Sequence, residues 1–299
     1  MKFGQVANPE EIDFTIPPDH PDTTRLLEAT RTGDMEVYVG CAKWNKKELQ
    51  GFYPKGTKDE LAYYSSQFNA IELNATFRRR IAPEQYKKWA DDTPDGFKFC
   101  PKMGQFISHI KRLADTAEPV ELFATSASHM GEKLGVPYLQ MHDNFGPEHF
   151  ARVEQFAEDW QYDIPVALEL RKTDWHTDPF IKSELYDLLE RSGIANVLVD
   201  TAGRRDLMHM RLTTPTAFVR WVGANHDIDY ARMDEWIERI AAWKAAGLSR
   251  LFFFLHQNVD INTVVYAKYF IPKLNERIGT NVHVPEILDQ EDGAAKSHQ

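Results

Sequence analysis

Cysteine is scarce in this chain, which has two cysteines, Cys41 and Cys100, among 299 residues. So few cysteines exclude a disulfide framework, and the lack of a Cys-x-x-Cys pair argues against a zinc ribbon. The sequence has no run of about 18 apolar residues, and its first residues contain no apolar signal core. We therefore predict a soluble, cytoplasmic protein with reduced thiols, while one bridge between Cys41 and Cys100 is left open.

Positive charge is also in deficit, with 35 Lys and Arg residues against 45 Asp and Glu residues and a formal net charge of −10. A protein that binds polyanions regardless of sequence needs a basic surface, so this balance argues against bulk binding of nucleic acid or of an anionic membrane. A local basic pocket stays open. Hydrophobic residues make up 42% of the chain, which is enough for a large core.

Strand and helix patterns alternate along most of the chain. Short apolar runs predict eight strands, at 37–40, 70–76, 97–100, 136–142, 165–171, 195–200, 216–222 and 251–256, each followed by a mostly helical connection. This rhythm predicts a single-domain (β/α)8 TIM barrel over 35–284, with an N-terminal extension at 1–34 and a disordered polar tail at 285–299. The rival is a doubly wound open sheet, whose first turn should read G-x-G-x-x-G. The sequence after Gly40 does not match that pattern.

The second predicted strand has a polar residue at every other position. Glu72, Asn74 and Thr76 alternate with apolar residues, so the period of a strand sends all three to one face. Active sites of such barrels lie at the C-terminal ends of the strands, which predicts that this face is chemically active. The alternative is a half-buried edge strand whose polar face meets water.

Polar side chains end nearly every predicted strand, which a purely structural barrel does not require. We predict Glu72 and Glu169 as a catalytic acid–base pair. The residues predicted to bind the substrate and its charge are Trp44, Asn74, Thr76, Lys102, His109, Arg171, Asp200, Arg220 and Asn258. Plainer roles stay open: an ion-pair network for Glu169 and Arg171, a turn cap for Asp200, and packing for His109 and Trp44.

Metal ligands are present but do not form a local motif. Candidate ligands are His109, His142, Glu72, Glu169, Asp200 and His256. A motif such as H-E-x-x-H is lacking, so no metal is predicted, and the sequence identifies no cofactor.

Several motifs are shared with a known family. They are Gly40-x-x-x-Trp44, Gly51-Phe52-Tyr53-Pro54, Glu72-x-Asn74-x-Thr76-Phe77, Ser108-His109-x-x-Arg112-Leu113, Glu169-x-Arg171-x-x-x-Trp175 and Val219-Arg220. On these residues the chain resembles the DUF72, or YecE-like, proteins from about residue 36 to 278. The resemblance implies a TIM barrel and brings no established substrate.

The chain departs from this family pattern at three positions of the predicted rim. Where the family tends to have His-Gly after the arginine and an apolar residue, this chain has Trp221-Val222-Gly223. An Asn pair at the end of strand eight is replaced by His256-Gln257-Asn258, and a Gln-x-Pro-Pro turn after strand four by Gln140-Met141-His142-Asp143. A substrate shared with other members is therefore not implied.

The polar side chains at the predicted strand ends predict an enzyme of hydrolase or isomerase type that acts on a small anionic or sugar-like substrate. A glycosidase with carboxylates on opposite strands would have them more than about 6 Å apart. The alternatives are a non-catalytic module that binds single-stranded nucleic acid or a protein partner, and a degenerate enzyme. The sequence does not give the oligomeric state.

Overall fold

The computed structural model describes residues 5–257 and 262–287 of the chain. Within these residues nine strands form, and every pairing between them is parallel. They are β1 Glu36–Cys41, β2 Ala70–Leu73, β3 Lys98–Pro101, β4 Tyr138–Gln140, β5 Val166–Glu169, β6 Ile194–Asn196, β7 Leu198–Thr201, β8 Thr216–Val222 and β9 Arg250–His256.

Helices connect the strands and begin where the sequence supplies a start signal. α3 begins at Pro83, and the side chain of Asp178 caps α7 by accepting from two backbone N–H groups. The helices of the described chain are α1 Pro21–Ala29, α2 Glu60–Gln67, α3 Pro83–Asp91, α4 Ala117–Ser128, α5 Phe150–Asp159, α6 Asp174–Thr177, α7 Pro179–Arg191, α8 Ile228–Ala246 and α9 Asn262–Ile278. A π-helical turn spans Phe106–Ile110.

The strands form two sheets, in the orders β3-β2-β1-β9-β8-β7 and β4-β5-β6. Isolated bridges link β3 to β4, and the Met103 N–H donates to the Tyr138 carbonyl at 2.9 Å. On the other side β6 and β7 are halves of the sixth predicted strand, separated at Val197, whose N–H donates to Leu168. The fold is therefore of the TIM-barrel type, as predicted, although the ladder is interrupted at these two places.

The interior of the barrel changes from apolar to polar in one step along the strands. Apolar side chains including Tyr138, Phe218, Phe252 and Phe254 fill the middle. Because the side-chain period is two, the next inward position on each strand lies one layer closer to the C-terminal rim. On six strands, counting Lys102 one residue past β3, that position carries a charged, amide or imidazole side chain, and the six residues are Glu72, Lys102, Gln140, Glu169, Arg220 and His256. On β7 it is the hydroxyl residue Thr201.

The N-terminal extension packs against α8. Residues Met233, Trp236, Ile237, Ile240 and Trp243 form an apolar stripe with the 3.6-residue period of a helix, and all five are buried. In the extension the Phe14 side chain is buried, and Asp19 Oδ1 accepts a hydrogen bond of 2.6 Å from Nη1 of Arg239 in α8. The extension thus covers part of the helical layer.

The predicted disordered tail, 285–299, is described only in part. The Glu286 N–H donates to the Gln67 side chain at 2.9 Å, and residues 288–299 lie outside the described residues.

The second strand is shorter than predicted. β2 ends at Leu73, and residues Asn74–Thr76 form a 3-10 turn instead of continuing the alternation. The Thr76 hydroxyl closes this turn by donating to the carbonyls of Leu73 and Lys102 at 2.9 and 2.7 Å. The local hydrogen bonds of the turn replace ladder bonds, which is why the period-two argument fails after Leu73.

Buried His176 and half-buried His209 stack beside α7, with ring centroids 4.8 Å apart. His176 Nε2–H donates to the Leu170 carbonyl and His209 Nε2–H to the Val197 carbonyl, both at 3.1 Å. Burial lowers the pKa of His176 to about 4, and burial together with His176 lowers the pKa of His209 well below its usual value. Both rings are therefore neutral at pH 7.

We expect this histidine pair to make the fold sensitive to mild acid. Because the pKa of His176 is about 4 in the folded chain and 6.5 in a model histidine, the unfolded chain binds more protons between these values, and stability falls as pH falls. From pH 7 to pH 5 this histidine alone should remove about 2 kcal/mol. Urea unfolding at both pH values should show that difference shrink in His176→Phe, while exposed His129→Asn leaves it unchanged. An unaltered difference in His176→Phe would refute the assignment.

Candidate functional site

One arginine at the carboxyl end of β8 joins two carboxylates from strands that lie far apart in the sequence. Arg220 Nε and Nη2 donate to the two oxygens of Glu72 at 2.9 and 3.0 Å. Its Nη1 donates to Glu169 Oε2 at 2.7 Å. All three side chains are buried, so each charge depends on the others for compensation. The two carboxylates predicted as a pair thus meet on a single guanidinium.

Three further side chains bind Glu72. Asn74 Nδ2 and the Tyr138 hydroxyl donate to Oε1 at 2.9 and 2.7 Å. His256 Nε2 lies 2.8 Å from Oε2. Both oxygens of Glu72 are therefore occupied by protein donors, and an approaching ligand would first meet one of those donors.

Glu169 lies in a looser environment. Gln140 Nε2 donates to its Oε1 at 2.8 Å. Arg171 Nε lies 3.6 Å from the same oxygen and 3.0 Å from Asp143 Oδ1, which is exposed at the rim. Glu169 and Arg171 are thus members of one charge network.

Lys102 places a third cation beside this network. Its Nζ donates to Gln140 Oε1 at 2.6 Å and lies 4.2 Å from the centroid of the Phe77 ring. Burial, assisted by the charge of Arg220, lowers the pKa of Lys102 to about 8. Among the described residues no carboxylate lies within 4 Å of this ammonium. The group is therefore a buried cation held by an amide and an aromatic face.

The rim above the buried layer is partly exposed. The side chains that reach it include Asn74, Phe77, His109, His142, Arg171 and His256. His109 comes from the π-helical turn, where its Nδ1 lies 2.8 Å from the Ser108 hydroxyl and its ring packs edge-on against His142. Burial and the nearby Lys102 lower the pKa of His109 to about 4, so its imidazole is neutral at pH 7.

Arg220 keeps both carboxylates of the layer ionised. Burial alone would raise the pKa of Glu72, but Arg220 and then His256 outweigh it and hold that pKa well below the usual value. The pKa of Glu169 is also lowered, because Arg220 and Arg171 outweigh burial. Two ionised carboxylates therefore lie near three cations, Lys102, Arg171 and Arg220, and Asp143 pairs with Arg171 at the rim. Among the described residues no carboxylate lies within 4 Å of the Lys102 ammonium, so an anionic group from a ligand would be attracted to this cation.

The comparison with known families agrees with the motifs. A model of the family described as "Protein of unknown function DUF72" matches residues 38–288. The chain belongs to the DUF72 family.

Relatives of this DUF72 protein are distant in sequence, and solved structures of the family share its fold. The UPF0759 protein YecE of Escherichia coli K12 is 25% identical over 242 residues, covering 72% of this chain and 85% of YecE. The UPF0759 protein YunF of Bacillus subtilis is 28% identical over 162 residues, covering 50% and 55%. A solved DUF72 structure from Thermotoga maritima aligns with a TM-score of 0.65 and 23% identity, covering 80% of this chain and 99% of that one. One from Enterococcus faecalis aligns with a TM-score of 0.63 and 15% identity, covering 84% and 100%.

Asp200 lies on the other side of the sheet in this DUF72 protein. Arg232 Nη2 and Trp236 Nε1 donate to it at 2.8 and 2.7 Å, and Arg205 also binds it. Two of these partners belong to α8, whereas the adjacent Val199 faces the barrel interior. The structure therefore does not bring Asp200 to the cluster around Arg220, and its contacts are those of an anchor for the helical layer.

Of three other predicted ligand residues, two have side chains engaged in local contacts, and the third lies outside the described residues. Thr76 is buried and its hydroxyl is engaged by backbone carbonyls, one of them that of Lys102. Trp44 packs edge-on against Trp89, with ring centroids 6.0 Å apart. Asn258 lies outside the described residues, and its role stays a prediction.

Three residues of the cluster around Arg220 are absent from the predicted catalytic and substrate-binding residues, although one of them, His256, is named among the candidate metal ligands. They are Tyr138, Gln140 and His256. The period of two along β4 could have revealed Tyr138, because this residue lies two positions before Gln140 and therefore on the same face of the strand. His256 is the register partner of Val222, the position at which the DUF72 pattern tends to have a histidine. The imidazole missing from β8 is thus present on the neighbouring strand, where it contacts Glu72.

Two features of residues 5–257 and 262–287 concern membrane spans and metal ions. None of the helices there combines the length and apolar character needed to cross a membrane. His, Cys, Asp and Glu side chains of the same residues form no group of three or more that is suited to a metal ion.

Proposed function

We propose that this DUF72 protein is an enzyme that moves a proton next to a carbonyl group, as in aldose–ketose isomerisation. The substrate would be small and sugar-like and would carry an anionic group. The observation that supports this most directly is the contact of His256 with an ionised, buried Glu72 beside three cations.

The charge state of the carboxylates favours isomerisation over glycoside hydrolysis. A glycosidase needs one carboxylic acid that is protonated near neutral pH and can donate to the leaving group. Here Arg220 lowers the pKa of both Glu72 and Glu169. Isomerisation instead needs a base and a cation that stabilises the enediolate oxygen. The contacts thus favour a different division of roles from the predicted acid–base pair.

In this division His256 is the base and Glu72 positions it. Since a carboxylate can only accept, this hydrogen bond places a proton on Nε2, and in the neutral form of the ring Nδ1 then carries a lone pair. The Nδ1 atom has no hydrogen-bond partner among the described residues, and the side chain is partly exposed. Nδ1 would take a proton from the hydroxyl-bearing carbon beside the carbonyl and return it to the former carbonyl carbon. The proton of that hydroxyl passes to the former carbonyl oxygen, so the step balances with no oxidant or reductant.

The neighbouring cations would hold the anionic parts of the substrate. When the C–H bond breaks, its electron pair moves to the carbonyl oxygen, where the Lys102 ammonium could stabilise the charge. Neutral His109 could donate a hydrogen bond to the same oxygen. Arg171, at the rim, would bind a carboxylate or phosphate, because its planar guanidinium matches either group.

Hydrogen exchange with solvent tests the reaction class without knowledge of the product. The protein should catalyse incorporation of deuterium from D2O at the carbon beside the carbonyl of at least one sugar phosphate or uronate. Ribose 5-phosphate, glucose 6-phosphate and glucuronate are suitable probes, followed by NMR. His256→Asn should slow the exchange by at least about 100-fold, and exposed His129→Asn should retain it.

Other outcomes would overturn the proposal. Release of phosphate or of free sugar from phosphomonoesters or glycosides, without exchange, would establish a hydrolase. Tight binding of a thymidine oligonucleotide that involves Arg171 and Lys102, again without exchange, would favour the non-catalytic module.

A further inference from the structure

A cavity lies outside the barrel mouth, between the loop after β2, the π-helical turn and α4. Its volume is about 480 Å³, which is within the usual range for small-molecule sites. Ile81, Ile107, Leu122 and Phe123 supply much of its apolar lining. Phe77 also lines it, and the Lys102 ammonium lies 4.2 Å from the same ring. The Phe77 side chain thus adjoins both this cavity and the buried charge network.

Two large apolar side chains at this cavity are exposed. Phe106 is 46% exposed and Ile110 is 64% exposed, and both line the cavity. Exposed apolar side chains that are scattered singly need no explanation, but a pair at the mouth of an apolar cavity indicates a binding surface. They extend the apolar lining outward from its buried floor.

Three consecutive arginines supply positive charge at the same place. Arg78, Arg79 and Arg80 all line the cavity and are exposed. Glu118, from the first turn of α4, is a carboxylate in the lining. The cavity is therefore net positive in a chain whose formal net charge is −10.

The backbone around the cavity has an uncommon conformation. A π-helical turn at Phe106–Ile110 is followed by three non-glycine residues with positive φ: Arg112 at 51°, Leu113 at 61° and Asp115 at 52°. Such conformations are unfavourable and occur often at ligand-binding segments. The Leu113 N–H donates to Ile107 at 3.0 Å, and Arg152 donates to the Arg112 carbonyl at 3.2 Å. These bonds hold the turn in place beside the cavity.

We propose that this cavity binds a small anion that carries an alkyl chain, such as a fatty carboxylate or an alkyl phosphate. The chain would occupy the apolar lining and cover Phe106 and Ile110, and the anionic head would meet Arg78–Arg80. A walled apolar cavity suits such a ligand better than a nucleic acid, which needs a basic surface tracking its backbone. The site uses none of the residues assigned to proton transfer and does not depend on that assignment.

Calorimetric titration of the full chain with decanoate and with decyl phosphate, below their micelle concentrations, tests the proposal. We expect saturable binding of at least one of them, and the tighter one identifies the head group. Arg79→Ala/Arg80→Ala should weaken binding about tenfold, and Ile110→Asp about fivefold. The matched controls are Arg191→Ala for an exposed arginine and Phe180→Ser for a side chain that is 68% exposed elsewhere. Both controls should bind as tightly as the unaltered protein.

Three results would overturn the proposal. The first is equal binding of decyltrimethylammonium, which carries the opposite charge. The second is binding of either anion that neither cavity variant weakens. The third is absence of saturable binding by both anions, together with binding of a thymidine oligonucleotide that Arg79→Ala/Arg80→Ala abolishes, which would assign the arginines to nucleic acid.

Discussion

Replacing Arg220 by methionine should lower the free energy of unfolding by about 3–5 kcal/mol at neutral pH. The substitution leaves Glu72 and Glu169, both buried, without the guanidinium that now donates to each at 2.7 to 3.0 Å. Removing one member of a buried charge network costs far more than the network contributes, because the remaining charges stay desolvated. Urea unfolding followed by circular dichroism measures the change.

The pH dependence of this loss is a second part of the expected result. In the unaltered protein Arg220 holds the pKa values of Glu72 and Glu169 below the usual value of 4.5 for a glutamate. Their stabilising contribution is therefore present above that value and is lost as pH falls through the folded pKa. Without Arg220, burial would raise both pKa values, so the loss should be larger at pH 7.5 than at pH 5.

Matched variants separate charge from packing. Glu72→Gln/Glu169→Gln/Arg220→Met removes all three charges and should recover a large part of the lost stability. Arg191→Met, at an exposed position of α7, should change stability by less than about 0.5 kcal/mol. A loss below about 1 kcal/mol for Arg220→Met, or an equal loss at both pH values, would contradict the buried charge network.

Glu72→Gln should lower the rate of the proposed exchange by about 100- to 10,000-fold, the range expected when general base catalysis is lost. A glutamine is nearly isosteric but no longer requires His256 to carry its proton on Nε2, and it does not stabilise the imidazolium that forms. The matched control is Glu169→Gln, which removes the other carboxylate on Arg220 and leaves the Glu72–His256 contact in place. That control should retain most of the rate.

A double-mutant cycle tests whether Glu72 acts through His256. The combined Glu72→Gln/His256→Asn variant should be little slower than His256→Asn alone, because the two residues act as one unit. A merely structural role for Glu72 would instead give additive losses. If Glu169→Gln loses as much rate as Glu72→Gln, the acid–base pair of two carboxylates is the better assignment.

Local rules carry much of the fold. The alternation of strand and helix patterns predicts the TIM barrel, and Pro83 and Asp178-Pro179 mark helix starts that the structure retains. The stripe on α8 is buried as its 3.6-residue period requires. These features depend on neighbours within one element, so the sequence contains the information directly.

The pairing of charges, in contrast, depends on residues that are far apart in the sequence. Glu72 and Arg220 are 148 residues apart, and Glu169 reaches the same guanidinium from a third strand. The period of a strand indicates which face a residue occupies, but which opposite charge lies across the barrel depends on how the strands are arranged in space. For the same reason Asp200, polar and at a strand end, lies under α8 instead of in the mouth.

The sequence by itself determined that this chain alternates strand with helix, buries an apolar interior and carries polar side chains where its strands end. Only the tertiary structure decided that one arginine binds both carboxylates, that His256 contacts Glu72, and that Arg78–Arg80 border an apolar cavity. The physical reason is the distance along the sequence over which each kind of interaction acts. Periodicity and capping act over a few residues, whereas a hydrogen bond of 2.7 Å between distant strands forms only after the whole barrel has set their positions.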